Sequence, residues 1–360
     1  MEFIFNFTNI GKNISGLGRY SKSILETLEC LKFNDVNIKV YLNRAVIKDF
    51  NHIKNLQLLS APSYVSPDFA FKGHLARLLW SNYLAVKGKK AVIFNPSQLE
   101  GVFIKKNKAI TVIHDLIPLI FKKGKLYYYF KYFLPYILNN SLKIITVSEH
   151  TKKLLLEHYK NISERKVHVI YNGISKKFNF LNLTKEPFIL YVGRFEELKN
   201  IKNLLKAFSL LVKKYKLDYE LVLIGSGELN VGNLDEVVKR KIKVFKNISD
   251  EKLVEFYNKA SLFVFPSFYE GFGFPPLEAM ACGTPVVVSN VSSLPEVCGD
   301  AGYYIDPYNV EDITRGMYEV LKDETLQKEL VQKGFKRVKQ FSWEKTVKDI
   351  LEIMKEVANL

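Results

Sequence analysis

The sequence predicts an α/β protein built from two Rossmann-like, doubly wound domains that face each other across a cleft. Strand-like segments alternate with amphipathic helical ones along the whole chain, which is the pattern of a parallel sheet flanked by helices. The alternation falls into two halves, each with about six candidate strands. The 360 residues agree with this, since about 150 residues per domain gives roughly two domains.

The first ten residues, MEFIFNFTNI, place Phe3, Phe5 and Phe7 in alternation and read as a first strand. With an acid at Glu2 and no basic stretch, this terminus does not resemble a signal peptide, so the expected location is the cytoplasm. Further strands are expected at Val36–Leu42, Ala91–Phe94, Ala109–Ile113, Lys143–Val147 and Lys166–Ile170. A helix after the first strand carries Tyr20, Ile24, Leu28 and Leu31 on one face. The segment Tyr127–Tyr136, rich in aromatic residues, reads as a helix packed on its own sheet, with an interfacial aromatic patch as the alternative. Residues 176–187 are polar, lack periodicity and end in a proline, as a linker does. The second half then offers Phe188–Val192, Glu220–Ile224, Ile242–Phe245, Leu262–Phe265, Pro285–Val288 and Gly302–Ile305. A last helix begins at Ser342 with Trp343, Val347, Ile350 and Met354 on one face. The expected domains are therefore residues 1–174, with a terminal helix of about 343–360 packing back on them, and residues 175–342.

Composition excludes several classes. Hydrophobic residues at 48% and charged residues at 25% are ordinary for a folded domain, and no apolar run approaches the 18 residues of a membrane span. Cys30, Cys282 and Cys298 are an odd, widely spaced set without a CxxC, which argues against disulfides and thiolate zinc and for small buried apolar residues. The net charge of +16 is uneven, because residues 1–175 hold 26 Lys and Arg against 11 Asp and Glu. That asymmetry suggests an anionic partner for the first half, such as an acidic membrane face or a phosphorylated substrate; solubility and a lysine-rich genome are the plainer explanation. Nucleic acid is not expected, since the aromatic residues sit in apolar runs rather than among Lys and Arg.

Ligands of doubly wound sheets bind at the carboxyl ends of the strands, and the unusual residues follow strands here. Gly16 and Gly18, within Ser15-Gly16-Leu17-Gly18-Arg19, open the first helix and would let a phosphate approach backbone amides. Ser21 breaks the GxGxxG fingerprint, as Asn230 does after Gly225-Ser226-Gly227, and either stretch also reads as a tight turn. Arg194 and Lys199 follow the strand Phe188–Val192 and offer a bidentate fork and a point charge for a phosphate, or form a solvated charged loop. The most specific segment runs from Pro266 to Pro285. Its Glu270, Gly271, Phe272, Gly273 and Phe274 place bare backbone among aromatic residues, and Glu278 lies one turn inside a helix starting at Pro275. These carboxylates can accept from sugar hydroxyls. His114, before Asp115, ends the strand Ala109–Ile113, where it is either structural or part of a site. No HExxH or DxD stands in the chain, so no metal is expected.

Together these motifs resemble the retaining glycosyltransferases of family 4, which have the GT-B architecture. The resemblance runs over nearly the whole chain: Gly16-Leu17-Gly18-Arg19-Tyr20, His114-Asp115-Leu116, Thr146-Val147-Ser148-Glu149, Val169–Gly173, Gly193-Arg194 with Lys199-Asn200, and Glu270 to Glu278 in an E-x7-E pattern. It implies transfer of a sugar from a nucleoside-diphosphate sugar, used as co-substrate, to a hydroxyl of a glycan or lipid-linked acceptor, with retention and without a metal or other cofactor. By the same resemblance Arg194 and Lys199 neutralise the leaving diphosphate and Glu278 binds ribose hydroxyls. Glu270 approaches the donor sugar, the Gly273–Phe274 backbone contacts sugar and phosphate, and His114 contacts the donor sugar near the acceptor. Front-face attack through an oxocarbenium-like ion pair is preferred over a covalent glycosyl-enzyme. The Gly-Leu-Gly-Arg-Tyr and His-Asp-Leu-Ile-Pro patterns look most like transferases that assemble surface polysaccharides, which leans toward GDP-mannose, with a UDP-sugar otherwise. The +15 of the first half would suit a peripheral position on the inner membrane face. A sugar-nucleotide 2-epimerase on the same fold is the alternative, followed by a phosphorylase and by a non-enzymatic basic module binding membrane or nucleic acid.

Overall fold

The computed structural model describes residues 1–13, 15–33, 35–104, 107–122, 124–232 and 234–360. The chain divides into two compact units: Met1–Gly173 with Ser342–Leu360, and Ile174–Phe341. No helix among the described residues is long and apolar enough to cross a membrane.

In the first unit a seven-stranded sheet runs in the order β3-β2-β1-β4-β5-β6-β7. Its strands are β1 (Glu2–Asn6), β2 (Asn37–Asn43), β3 (Gln57–Ala61), β4 (Val92–Asn95), β5 (Ala109–Ile113), β6 (Lys143–Thr146) and β7 (Val167–Val169). Every pairing is parallel. β3 is absent from the sequence reading for a physical reason. Gln-Leu-Leu-Ser-Ala has no β-branched residue and no alternation, and as an edge strand its first four residues are not buried, so only pairing with β2 makes it a strand. The other strands lie within two residues of their expected bounds.

Helix α1 (Gly16–Cys30) buries Tyr20, Ile24 and Leu28, while Leu31 serves as its C-cap. Cys30, expected inside, is exposed because the last turn rotates it away from that face; Cys282 and Cys298 are buried. Helix α2 (Ala70–Lys87) packs on the same sheet. The aromatic segment forms a nearly continuous helix from Gly124–Tyr128 through a π turn at Tyr129–Phe133 to Leu134–Asn140. Phe130, Leu134, Ile137 and Leu138 join a core with Leu78, Ile113 and Ile144, but Tyr128, Tyr132 and Tyr136 stand in solvent. One face therefore packs on its own sheet, as expected, and the other leaves three tyrosines exposed.

The second unit has a six-stranded parallel sheet in the order β10-β9-β8-β11-β12-β13. Its strands are β8 (Glu186–Val192), β9 (Glu220–Ile224), β10 (Ile242–Phe245), β11 (Ala260–Phe265), β12 (Val286–Ser289) and β13 (Gly302–Ile305). Pro187 lies inside β8 rather than ending a linker. It is tolerated near the strand start, where the pairing with β11 shifts register between Ala260 and Leu262. In both sheets the strand order reverses beside the first strand, between β1 and β4 and between β8 and β11, and such a switch point opens a crevice at the carboxyl ends. Helices α3 (Ile201–Tyr215) and α4 (Phe274–Ala281) follow β8 and β11.

The chain leaves the first unit after Gly173 and returns at Ser342, whose hydroxyl caps α5 (Trp343–Asn359) by accepting from the Lys345 amide. Trp343, Val347, Ile350 and Met354 are buried, and Thr346 donates to the Tyr171 carbonyl at 2.7 Å. A Cβ on Gly173 would lie 2.1 Å from the Trp343 nitrogen, so only glycine lets the helix start this close to the chain. Gly173→Ala is expected to destabilise the first unit by roughly 1–3 kcal/mol, as overpacking does. Urea unfolding followed by tryptophan fluorescence checks this, and an unchanged midpoint would contradict it.

Candidate functional site

The loops after β8 and β11 leave neighbouring strands at the switch point of the second unit. The first is stitched to the end of β9 by Gly193 N to Ile224 O at 2.9 Å and Phe195 N to Ser226 O at 2.7 Å. A Cβ on Gly225 would come 1.8 Å from the Gly193 carbonyl. Gly225-Ser226-Gly227 is thus a close-packed turn. A 3-10 turn at Glu197–Lys199 follows, and Asn200 stands at the N-cap of α3 with φ of 59°. Its side-chain amide donates to the Pro266 carbonyl at 2.9 Å, tying this loop to the one after β11, and to the Pro307 carbonyl at 2.7 Å, tying it to the one after β13.

This brings Lys199 and Glu270 into contact. The Lys199 Nζ lies 2.7 Å from Glu270 Oε1, with the two side chains 17% and 11% exposed, and 6.0 Å from the centre of the Phe265 ring. Arg194 is placed differently. Its side chain is 73% exposed and its Nε lies 3.0 Å from Glu196 Oε1, so it sits on the rim, paired in the charged loop.

Serines fix the backbone around Glu270. Ser292 Oγ accepts from the Glu270 amide at 3.0 Å, and Ser293 Oγ donates to the carbonyls of Glu270 at 3.0 Å and Phe272 at 2.8 Å. Ser267 Oγ donates to the Leu198 and Tyr269 carbonyls, both at 3.2 Å. Gly273 then takes φ of 107°, in the left-handed region, and serves as N-cap of α4. Pro275 and Pro276 bring no N–H, so in this first turn only Phe274 and Leu277 carry one. Gly271 lies on the same loop. Glu278, inside α4, accepts from the buried Tyr257 hydroxyl at 2.8 Å on Oε2, which orients the carboxylate.

His114 ends β5 in the first unit. Its Nε2 lies 2.7 Å from the Pro96 carbonyl, and its backbone amide donates to Gln98 Oε1 at 3.3 Å. Tyr20 of α1 meets the imidazole edge-on, with centroids 4.6 Å apart, and Trp343 meets Tyr20 at 5.7 Å. Burial pushes the His114 pKa down to about 4, although the Pro96 bond favours the charged form. The ring is therefore neutral near pH 7. Asp115 shapes the turn, accepting from the Ile117 amide at 3.0 Å. The turn that supplies Pro96 and Gln98 is anchored by Glu100, which accepts from Ser97 and from Arg77 Nε at 2.8 Å. Arg77 and Glu100 are both nearly fully buried. Burial raises the Glu100 carboxyl above its ordinary range, with the guanidinium opposing. At the start of α1, Ser15 Oγ accepts from the Gly18 amide at 3.2 Å; Gly18 is buried, while Gly16 is exposed with open space around it.

Residues 174–337 match the family described as Glycosyl transferases group 1, and residues 65–178 match Glycosyltransferase Family 4. O-antigen chain mannosyltransferase B of Escherichia coli is 30% identical, over 96% of this chain and 97% of its own length. The chain belongs to glycosyltransferase family 4. O-antigen chain mannosyltransferase RfbU of Salmonella typhimurium is 27% identical over 84% of this chain and 86% of its own. A glycosyltransferase from Rickettsia africae ESF-5 shares the fold, with a TM-score of 0.72 at 21% identity, over 99% of this chain and 98% of that one. The fold is GT-B.

In this glycosyltransferase, sequence reasoning assigned no role to Asn200, Tyr257, Ser292, Ser293 or the Arg77–Glu100 pair. Ser292 and Ser293 follow β12, so the rule that led to Lys199 and Glu270 would also have found them. Nothing local marks Tyr257, Arg77 or Glu100, whose partners are distant in sequence.

His74, buried beside Arg77, also has its pKa lowered to about 4, by burial first and by the guanidinium second. An unfolded imidazole titrates near 6.5, so between about 6.5 and 4 the unfolded chain binds more protons than the folded one. The stability these two residues contribute is complete above 6.5 and is lost as pH falls toward 4. Urea midpoints measured across this range should fall with acidification, and should fall less steeply in His74→Gln and His114→Gln.

Proposed function

We propose that this glycosyltransferase moves a mannosyl group from GDP-mannose to a hydroxyl of a glycan or lipid-linked acceptor in surface polysaccharide assembly, with retention of configuration and without a metal. The observation that carries the reading is the largely buried Lys199–Glu270 pair at the carboxyl edge of a parallel sheet, with Glu270 on the loop that leads into α4, which carries Glu278 one turn inside. A pre-placed ammonium lowers the energy of a departing diphosphate, whose charge grows as the bond to the sugar breaks. Two relatives that span most of the chain are O-antigen mannosyltransferases, which supports mannose as the sugar.

Each residue then has a part. Lys199 meets the leaving diphosphate, and Arg194, exposed on the same loop, closes on it as a bidentate fork. Glu270 holds Lys199 in place and faces the positive charge that develops on the sugar ring. Glu278, its carboxylate oriented by the Tyr257 hydroxyl, accepts from ribose hydroxyls. The Phe272–Phe274 backbone, with its Gly273 cap, lets sugar and phosphate approach the start of α4. In the first unit neutral His114, its Nε2 toward Pro96, presents Nδ1 as an acceptor for a sugar hydroxyl. The bond from the anomeric carbon to phosphate oxygen breaks, the acceptor oxygen bonds to that carbon on the same face, and the acceptor proton passes to the leaving phosphate. The enzyme works in the cytoplasm, with the inner membrane face supplying the acceptor.

Turnover of GDP-mannose and of UDP-sugars, with and without glycan acceptors, tests the reading. Donor consumption that needs an acceptor is expected; release of an epimerised sugar from donor alone would replace it with the epimerase. Proton NMR of the product reads the anomeric configuration. Activity is expected to persist in EDTA, and an absolute need for added Mg²⁺ or Mn²⁺ would refute the cation role given to Lys199 and Arg194.

Lys199→Ala should lower turnover at least tenfold, about 1.4 kcal/mol or more. Glu270→Gln releases the ammonium from its carboxylate partner, so affinity for bare GDP should rise while turnover falls. Calorimetry and single-turnover rates separate the two effects, and a loss of GDP affinity in Glu270→Gln would contradict the pairing argument.

A further inference from the structure

Helix α2 is arranged against the usual order. Its outward stripe is apolar, with Phe71, Leu75, Leu79, Tyr83 and Val86 each about half exposed or more, while four of its eight buried residues are polar: His74, Arg77, Ser81 and Asn82. A helix packed on a sheet normally turns its apolar face inward. The spacing of these four residues puts them on one face, and their bonds converge on the chain that follows β4. Arg77 Nε donates to Glu100 Oε1 at 2.8 Å and its Nη1 to the Val65 carbonyl at 3.1 Å. Asn82 Oδ1 accepts from the amides of Phe103 at 3.0 Å and Ile104 at 3.2 Å. Ser81 Oγ accepts from the Asn6 side chain at 2.8 Å, and the same amide group donates to Asn95 Oδ1 at 3.1 Å. His74 meets Tyr129 edge-on at 5.0 Å.

The chain held in this way touches His114 at two points. A 3-10 turn at Gln98–Glu100 follows Ser97, whose hydroxyl bonds Glu100 and accepts from the Leu99 amide at 3.1 Å. Gln98 is buried; its carbonyl accepts from the Tyr129 hydroxyl at 2.7 Å and its Oε1 from the His114 amide at 3.3 Å. The Pro96 carbonyl lies 2.7 Å from His114 Nε2. A carbonyl oxygen can only accept, so Nε2 carries the ring proton and Nδ1 of the neutral imidazole keeps its lone pair. Stability gives no reason for the Arg77–Glu100 pair, because apolar groups of the same volume do as well as a buried ion pair or better. What the pair supplies is direction, since the planar guanidinium bonds only along its own N–H axes.

We propose that Arg77, Glu100 and Gln98 are positioning residues for His114: the polar inward face of α2 holds the turn after β4 so that the Pro96 carbonyl takes the Nε2 proton and Nδ1 is left as the acceptor for a sugar hydroxyl. The inference rests on the proposed contact of His114 with the donor sugar. It gives the buried polar face of α2 a task that packing alone does not require.

Two variants provide the test. Gln98→Met nearly keeps the side-chain volume and removes the Oε1 acceptor, and the double variant Arg77→Met with Glu100→Leu replaces the pair by apolar groups, so that no buried charge is left alone. Long-range nitrogen–proton NMR of histidine-labelled enzyme reads the tautomer, and His114→Gln identifies the His114 signals among the six histidines. The parent should show His114 protonated at Nε2, and both variants a mixture of the two tautomers. Acceptor-dependent turnover of GDP-mannose should fall about tenfold or more in both, as it does when a placed group shifts slightly. Calorimetric affinity for GDP should stay as in the parent, because Lys199, Glu270 and Glu278 lie in the other unit. A merely structural role would lower the unfolding temperature and leave the tautomer alone. Unchanged ring spectra and turnover in Gln98→Met, or turnover lost only in proportion to unfolding, would overturn the proposal; where the double variant does not fold, Gln98→Met, which spares the pair, decides. Unchanged turnover in His114→Gln would overturn the sugar contact instead, and the ring spectra, which need no turnover, keep the two failures apart.

Discussion

A lysine and a glutamate from different loops meet at 2.7 Å in the second unit, and that contact fixes how the carboxyl edge of its sheet can be used. Neither side chain is well hydrated, so each needs the other's charge; removing one partner from such a pair costs more than the pair itself contributes. The pair therefore holds the loop after β8 against the loop after β11. It also sets a condition on any anion that enters, because Lys199 serves a ligand only by being shared with, or released from, Glu270. Arg194, exposed and paired only at the rim, meets no such condition.

The ion pair depends on backbone held by neutral groups. Asn200 ties the first loop to the second through the Pro266 carbonyl and to the loop after β13 through the Pro307 carbonyl, and Ser267, Ser292 and Ser293 take up polar groups on the backbone of the second loop. Short side chains with few rotamers lose little entropy in such positions. The glycines do different work: Gly225 lets two turns touch, and Gly273 allows the left-handed cap from which α4 starts. The loops are thus pre-shaped, a condition for electrostatic stabilisation of a departing group without reorganisation.

The first unit solves a different problem with α2. One face of that helix carries Arg77, whose buried bond to Glu100 anchors the turn supplying Pro96 and Gln98 to His114. The opposite face carries the exposed apolar stripe. A rigid helix links the two, so the surface and the neighbourhood of His114 are parts of one packed body.

Periodicity and residue chemistry in the sequence were enough to determine the doubly wound class, twelve of the thirteen strands, the terminal helix capped by Ser342, and the position of Lys199, Glu270, Glu278 and His114 after strands or at a helix start. These are properties of short segments, where apolar spacing, glycine and proline act locally. Tertiary structure alone decided the rest. β3 exists because β2 gives it a partner, and Cys30 is exposed because of where its helix ends. Tyr127–Tyr136 divides into a buried face and a solvent face that the run of aromatic residues could not separate. Lys199 and Glu270 are 71 residues apart and Arg77 and Glu100 are 23 apart; such pairings depend on which strands become neighbours in the sheet. A sequence states each partner's charge, but only the folded chain brings the partners together and removes the water that would otherwise screen them.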